Sequence, residues 1–119
     1  MNRTEIETAL TDLNELVANG SLLEAFEKYY HDEVVMQENE LSPTISKELN
    51  RKREIEFKKN LTELRKAEVK GMGTGDDISF VIWKYDYTHK EWGVKNYTQV
   101  SVQHWKDGQI IREKFFYNN

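Results

Sequence analysis

The stretch VSVQHWKDGQIIREKFFYN, residues 100–118, decides the fold because it reads as two β-strands joined by a tight turn. Asp107-Gly108 predicts a type I′ turn, since both central residues of that turn need a positive φ, which Asp and Gly tolerate best. The residues on either side alternate as a strand with two different faces requires. The stretch therefore predicts a β-hairpin.

The predicted hairpin has two faces of different character. A two-residue turn places Val102 opposite Glu113, and His104 then lies diagonally across from the carboxylate. The first face carries Val100, Val102, His104, Ile111, Glu113, Phe115 and, at its end, Tyr117. The second face carries Trp105, Ile110, Arg112, Lys114 and Phe116. We interpret the first face as the wall of a ligand pocket, because it is an apolar surface with one imidazole and one carboxylate.

Length and composition narrow the class of protein. A chain of 119 residues is expected to form one domain, and it has no cysteine, which excludes disulfides and thiolate chemistry and fits a reducing cytoplasm. The net charge of −4 argues against nucleic acid or an anionic membrane as the main partner. No secretion signal or membrane span is expected from the polar N-terminus and the short apolar runs.

The order of the elements predicts an α+β fold. Helices come first and four consecutive strands come last, which places helices on one face of a mostly antiparallel sheet. A strongly curved sheet around three helices leaves a cone-shaped cavity, as in a cystatin-like α+β roll. The predicted helices span residues 4–17, 22–30 and 50–64, and the predicted strands span residues 34–39, 65–74, 78–88, 94–105 and 110–118.

The sequence predicts neither a cofactor nor a metal site. The glycine-rich run at residues 71–75 is not followed by a helix, so we expect a bend or bulge rather than a phosphate loop. No two histidines have the spacing of metal ligands on one element. The charged run RKREIEFKK, residues 51–59, is interpreted as a solvated helix face.

The chain resembles the SnoaL-like, or polyketide-cyclase-like, branch of the nuclear transport factor 2-like superfamily. Two stretches carry the resemblance: ANGSLLEAFEKYYHDEVVMQEN, residues 18–39, and HWKDGQIIREKFFYN, residues 104–118. The resemblance implies one cone-shaped domain over residues 1–119. The superfamily includes isomerases, dehydratases, cyclases, hydrolases and non-catalytic modules, so the fold alone does not name an activity.

The resemblance transfers only part of each catalytic pattern. Glu38 matches the general base of the ketosteroid isomerases, but the oxyanion-hole positions correspond to Leu13 and Val102, which cannot donate a hydrogen bond. The histidine and aspartate found on the last strand of polyketide cyclases correspond to Glu113 and Phe115. One acid is therefore present, but the histidine–aspartate pair is not.

The predicted catalytic residues are Glu113, His104 and Glu38. A carboxylate that orients an imidazole makes a general base, and His104 could supply that imidazole to Glu113. The alternatives are a structural pair that holds the hairpin, or Glu113 paired with an arginine or lysine elsewhere. For Glu38 the alternative is an exposed glutamate at the end of a strand.

Aromatic and aliphatic residues are expected to form a pocket wall on one face and a dimer contact on the other. Large apolar residues on the outer face of a sheet indicate an interface, and superfamily members commonly dimerise there. The predicted pocket residues are Trp83, Tyr85, Val102, Phe115 and Tyr117, for which ordinary core is the alternative. The predicted dimer interface consists of Phe80, Ile82, Trp105 and Phe116.

We therefore expect a protein that binds an apolar or aromatic small molecule in its cavity. Cofactor-independent acid–base chemistry of the isomerase or cyclase kind is one hypothesis. A non-catalytic ligand-binding or dimerisation module is the other.

Overall fold

The computed structural model describes residues 1–118 and has three helices packed on a six-stranded, mostly antiparallel sheet that is not closed. The predicted α+β fold is confirmed. Within residues 1–118, none of the helices combines the length and hydropathy of a membrane span. In chain order the elements are α1 (Arg3–Ala18), α2 (Leu22–Tyr29), β1 (Tyr30–Glu38), β2 (Thr44–Ile45), α3 (Lys47–Asn60), β3 (Leu61–Gly75), β4 (Ile78–His89), β5 (Gly93–Lys106) and β6 (Gln109–Tyr117).

The helices cover one face of the sheet through residues at helical spacing. α1 begins after Asn2, which exchanges side-chain-to-backbone hydrogen bonds with Glu5 in a capping box. Ile6, Leu10 and Leu13 then lie on one face of α1 and are buried, because residues three and four apart share a helix face. They belong to one core with Phe26 of α2 and with Val34, Met36, Val81, Trp83, Trp105 and Ile110 of the sheet.

The strand order joins an early strand to the last one. The sheet runs β2-β1-β6-β5-β4-β3, and β1 pairs with β6 in parallel, whereas the other neighbouring strands are antiparallel. Met36 of β1 lies beside Glu113 of β6. This pairing brings side chains of β1 to the inner face of the hairpin, although they are distant in sequence.

The hairpin contains a β-bulge that the sequence analysis did not include. The turn at Asp107-Gly108 has the predicted positive φ angles of 53° and 84°. Trp105 pairs with Ile110, but the next pair is His104 with Arg112, so Ile111 is the extra residue on β6. A bulge of this kind shifts the register of every later pair by one residue.

The bulge inverts the predicted faces of β5. Glu113 pairs with Gln103, and Val102 pairs with Lys114, so the predicted pairing of Val102 with Glu113 is wrong. Val102 lies on the outer face instead of the pocket wall. Trp105 is only 2% exposed and belongs to the core, so its predicted place in an outer dimer interface is also wrong. Both errors have the same cause, because side chains alternate along a strand.

The outer face of the sheet nevertheless carries an apolar patch. Phe80 pairs with Val102, and Ile82 pairs with Val100, which in turn pairs with Phe116, so these five residues share one face. Phe80 and Phe116 are 41% and 42% exposed. We call Phe80, Ile82, Val100, Val102 and Phe116 the outer patch.

Glycine in β3 makes room for the outer patch. A Cβ atom on Gly73 would lie 2.3 Å from the ring of Phe80, so the ring lies directly over this glycine. The register between β3 and β4 also shifts between Val69 and Gly71, in line with the expected bulge. The glycine-rich run is therefore part of a strand and supports an aromatic ring.

Candidate functional site

A cavity of about 850 Å³ lies between the helices and the inner face of the sheet. Its walls are largely aromatic and aliphatic, and carboxyl groups reach it from β1, α3 and β6. The residues that line the cavity include Glu38, Glu54, Phe57, Trp83, Tyr85, Tyr87, Tyr97, Gln103, Glu113 and Phe115.

Glu113 is a buried carboxyl group held by two donors. It is 2% exposed, and its position after the bulge turns it inward. The Tyr30 hydroxyl donates to Oε1, and Nε2 of Gln103 donates to Oε2 at 2.8 Å. Burial raises the pKa of Glu113 to about 7, while the two hydrogen bonds oppose that rise because they favour the charged form.

The hydrogen bonds continue behind Gln103 through two more buried side chains. Oε1 of Gln103 accepts a hydrogen bond from Oγ of Ser79 at 2.7 Å. The same Oγ accepts a hydrogen bond from Nε1 of Trp105 at 2.8 Å. Ser79 is on β4, so the chain connects three neighbouring strands. We call Trp105, Ser79 and Gln103 the relay.

Glu54 provides a second carboxyl group in the same cavity. It is enclosed by protein but keeps part of its surface accessible, because it faces the cavity. Burial, followed by repulsion from Glu113, raises the pKa of Glu54 to about 7, and the neighbouring Arg53 partly opposes this. The cavity therefore holds two carboxyl groups that repel each other.

Glu54 was not among the predicted site residues. It lies within the run that was interpreted as a solvated face. Asn50, Glu54 and Phe57 fall at the i, i+4, i+7 spacing of one helix face, and Asn50 is buried while Phe57 lines the cavity. This spacing is the signal that would have found Glu54.

Glu38 lies at the cavity, at the end of β1, and is engaged in an ion pair. Nη2 of Arg53 donates to its Oε2 at 2.8 Å, and Nη1 of the same arginine donates to Oγ1 of Thr44. The side chain of Glu38 is 35% accessible. Its predicted role as a lone base stays a prediction, now with a guanidinium bound to one of its oxygens.

His104 does not meet Glu113. It is exposed on the outer face, opposite Arg112, in a shallow groove that also includes Val102 and Lys114. The Glu113 side chain points to the other face of the sheet. The predicted general base made of His104 and Glu113 is therefore not formed, and the bulge at Ile111 is the reason.

Aromatic rings form a continuous row along the inner face. Trp83 stacks on Tyr85 with ring centroids 5.3 Å apart, and Tyr85 lies 5.9 Å from Tyr97. The hydroxyl groups of Tyr87 and Tyr97 are hydrogen-bonded at 2.9 Å. Burial raises the pKa of Tyr85 and of Tyr97, so both hydroxyl groups keep their protons at neutral pH.

The structure places the predicted pocket residues in three different positions. Trp83, Tyr85 and Phe115 line the cavity, and their contact with a ligand stays a prediction. Tyr117 stacks on the ring of Tyr97 at 5.1 Å, and burial raises its pKa to about 12. Val102 is on the opposite face, as described above.

His89 belongs to an aromatic cluster at the end of β4. It is buried, and its ring stacks on Trp92 with centroids 3.8 Å apart. Its Nδ1 accepts hydrogen bonds from the backbone N–H groups of Glu91 and Trp92. These bonds explain its burial in the turn. Across residues 1–118, no three His, Asp or Glu side chains are grouped as metal ligands.

Solved structures share this fold. A proposed SnoaL-like polyketide cyclase from Mesorhizobium loti matches with a TM-score of 0.83 and 27% sequence identity, over 94% of this chain and 98% of that chain. A proposed SnoaL-like polyketide cyclase from Jannaschia sp. matches with a TM-score of 0.80 and 11% identity, over 98% and 87% of the two chains. An epoxide hydrolase of the LEH-like kind from M. tuberculosis matches with a TM-score of 0.77 and 10% identity, over 98% and 84%. At 10% and 11% identity, the last two matches concern the fold alone.

The family assignment comes from the sequence. No protein of curated function matches the chain significantly. The family model of the SnoaL-like domain matches residues 4–117, which includes the first stretch that carried the resemblance and all but the last residue of the second. The chain thus belongs to the SnoaL-like domain family.

Proposed function

We propose that this protein binds an apolar or aromatic small molecule in the cavity and transfers protons on it without a cofactor, in chemistry of the isomerase or cyclase kind. The observation that carries the proposal is the buried carboxyl group of Glu113, held by Tyr30 and Gln103, with Glu54 as a second carboxyl group in the same cavity.

The size and lining of the cavity support binding of a small molecule. Ligand pockets are commonly about 300–1,000 Å³, with apolar walls and a few placed polar groups. The cavity of about 850 Å³ falls in that range. Trp83, Tyr85 and Phe115 offer flat apolar surfaces, which favours a ligand with a planar or ring-containing body.

The two carboxyl groups support acid–base chemistry. Groups with a pKa near 7 can accept and return a proton at neutral pH, whereas an ordinary glutamate is almost fully ionised there. In the proposed step one carboxylate takes a proton from a C–H group of the ligand, and the electron pair moves into a neighbouring π system. The other carboxyl group then donates its proton to another atom of the resulting anion, which gives the neutral product and leaves that second group as the carboxylate.

Tyr85 is the candidate donor for the charge that develops on the ligand. Its hydroxyl group has no hydrogen-bond partner within residues 1–118, and its side chain lines the cavity. A neutral phenol there can donate to a carbonyl oxygen of the ligand. This would replace the donor that is missing at Leu13, which lines the cavity.

A carbon acid with a single transferable proton tests the proposal. The probe 5-nitrobenzisoxazole loses its C3 proton to a base, its N–O bond breaks, and the coloured product is a cyanophenolate. We expect wild-type protein to bind the probe in a thermal-shift assay and to convert it faster than acetate at equal concentration. Glu113→Gln should bind the probe and lose most of that rate. Wild-type protein that binds the probe but is no faster than acetate would contradict the catalytic proposal.

The second candidate is a non-catalytic binding or dimerisation module, and the outer patch favours its dimer part. We propose a homodimer in which the outer patch of one copy packs on that of the other, because Phe80 and Phe116 are large and exposed. Phe80→Ser with Phe116→Ser should lower the mass measured by light scattering from dimer to monomer. Asn96→Ser, which is exposed on the same face away from the patch, is the control. A monomeric wild type at high concentration would contradict the dimer.

A further inference from the structure

We infer that the relay is a positioning device that favours the charged carboxylate at Glu113, so that Glu54 holds the proton when the two groups have one between them. In the proposed reaction Glu113 is then the base and Glu54 is the acid. The assignment of the two roles rests on the proposed function. The charge states themselves do not, because they exist without substrate.

Trp105, the first residue of the relay, fixes which atom donates and which accepts in each hydrogen bond of the relay. The indole Nε1 of Trp105 is a donor only, so Oγ of Ser79 must accept its hydrogen bond at 2.8 Å. The one hydrogen of the Ser79 hydroxyl group then points to its other partner, Gln103, at 2.7 Å. The atom of Gln103 that faces Ser79 must therefore be the carbonyl oxygen.

The orientation of the Gln103 amide in turn makes Gln103 the donor to Glu113. An amide that turns its oxygen to Ser79 turns its NH₂ group to Glu113, and Nε2 reaches Oε2 at 2.8 Å. Oε2 is therefore an acceptor. The Tyr30 hydroxyl group is bonded to the other oxygen, Oε1. Hydrogen bonds donated to both oxygens favour the charged carboxylate over the protonated acid.

The carboxyl group of Glu54 is not stabilised by hydrogen bonds as that of Glu113 is. Within residues 1–118 no donor forms a hydrogen bond to its carboxyl group, and it lies close enough to Glu113 to be repelled by its charge. Arg53, next in sequence, already donates to Glu38 and Thr44. When two carboxyl groups in one enclosed site share a single proton, the less stabilised anion takes it. That anion is Glu54.

The other groups around Glu113 and Glu54 do not change which of the two carboxyl groups holds the proton. Tyr30 and Tyr85 are buried with raised pKa values and stay neutral. Glu38 and Arg53 neutralise each other at 2.8 Å. The groups that face the pair are Tyr30 and Glu38 of β1, Arg53 of α3, Tyr85 of β4, and Gln103 of β5.

Without the indole N–H group, the donor and acceptor roles in the relay should no longer be fixed. In Trp105→Phe, the Ser79 hydroxyl group can accept from Gln103 instead of donating to it. The Gln103 amide can then turn its oxygen to Glu113, which favours a protonated carboxyl group. Ser79→Ala removes the residue in the middle of the relay and should also favour a protonated Glu113. It changes the core volume much less than Trp105→Phe does.

The test is a carbon NMR titration of glutamate side chains labelled at the carboxyl carbon, in the full chain without ligand. In the wild type, Glu113 should titrate at lower pH than Glu54. Trp105→Phe and Ser79→Ala should each raise the Glu113 midpoint by about one pH unit, a tenfold gain in proton affinity. Ser101→Ala should leave it unchanged, because Ser101 is buried on the same face of β5 but accepts from Gln99 and lies outside the relay.

The outcomes separate this inference from the proposed function. If Glu54 titrates below Glu113, or if Ser79→Ala and Ser101→Ala shift Glu113 equally, the positioning role is wrong even if the protein turns over the benzisoxazole probe. If the titration behaves as expected but the probe is not converted, the proposed catalysis fails and the relay still sets the charge of Glu113. Because Ser79→Ala deletes only a hydroxyl group, it keeps the test open should Trp105→Phe fail to fold.

Discussion

Gln103 and Glu113 lie directly opposite each other on β5 and β6, and a hydrogen bond of 2.8 Å joins Nε2 of the first to Oε2 of the second. This pair exists only because the extra residue Ile111 shifts the register of the hairpin. The bulge thereby places Gln103 beside Glu113 on the cavity side of the hairpin. It also removes His104 from that cavity.

The stability of the protein should fall as the pH rises through neutrality. Burial raises the pKa of Glu113 from its ordinary value of 4.5 to about 7, so between those values the folded protein binds a proton that the unfolded chain has released. The stabilising contribution is fully present below about pH 4.5 and is lost as the pH rises through 7. Unfolding in urea should give a lower free energy of unfolding above pH 7 than at pH 4.5. Glu113→Gln should reduce it by about 3 kcal/mol, whereas Glu24→Gln, at an exposed position of α2, should not.

Tyr30→Phe should raise the pKa of Glu113 and destabilise the fold. The Tyr30 hydroxyl group holds that pKa down by donating to Oε1, and its loss leaves a buried oxygen without this donor. We expect a loss of about 1–3 kcal/mol in the free energy of unfolding and a shift of the pH–rate profile to higher pH. Tyr29→Phe is the matched control, since the Tyr29 hydroxyl group also donates to a carboxylate, Asp12, but outside the cavity. Equal pH profiles for the two variants would contradict the prediction.

Arg53→Gln should raise the pKa of Glu54 with little effect on stability. The guanidinium of Arg53 lowers that pKa, and its ion pair with Glu38 is partly exposed, so the pair should be worth less than about 1 kcal/mol. The carboxyl titration described above measures the shift directly. Arg51→Gln, on the same helix as Arg53, breaks a similar pair with Glu27 of α2 and should leave the pKa of Glu54 unchanged. A Glu54 midpoint that moves downward in Arg53→Gln would overturn this expectation.

Deleting Ile111 should disrupt the inner face of β6. The deletion removes the bulged residue, so that Glu113 and Phe115 would turn to the outer face if the turn kept its pairing. We expect a loss of several kcal/mol in the free energy of unfolding, about the cost of exposing core and burying charge. Ile111→Ala keeps the bulge and should lose much less. Comparable stability of the two variants in urea would show that the register does not depend on the bulge.

The elements of the fold could be predicted because their signals are local. Alternation in residues 94–118 and the helical spacing of Ile6, Leu10 and Leu13 each lie within a few residues of sequence. The register of the hairpin could not be predicted, because adjacent apolar residues at Ile110 and Ile111 fit either face. The outcome is decided by which side chains the core can accept, and both Ile110 and Trp105 are fully enclosed there.

The site was less predictable than the fold because its partners are distant in sequence. Tyr30 and Glu113 are separated by 83 residues, and they meet only because β1 and β6 are paired. Glu54 lies on a helix whose apolar face is thin, so its inward direction depends on the packing of α3 against the sheet. Glu113 was predicted on the inner face of β6 and lies there, but the bulge at Ile111 that sets this orientation was not predicted.

The parallel pairing of β1 with β6 also has a kinetic consequence. β1 can complete its backbone hydrogen bonds only when β6 arrives, and contacts between segments so far apart in sequence slow folding, because a long loop must close first. Until then, the edge of β1 that later pairs with β6 is open to other strands. During synthesis the α1–β5 portion must therefore wait for β6, and the same strand that closes this edge also supplies the Glu113 carboxyl group to the cavity.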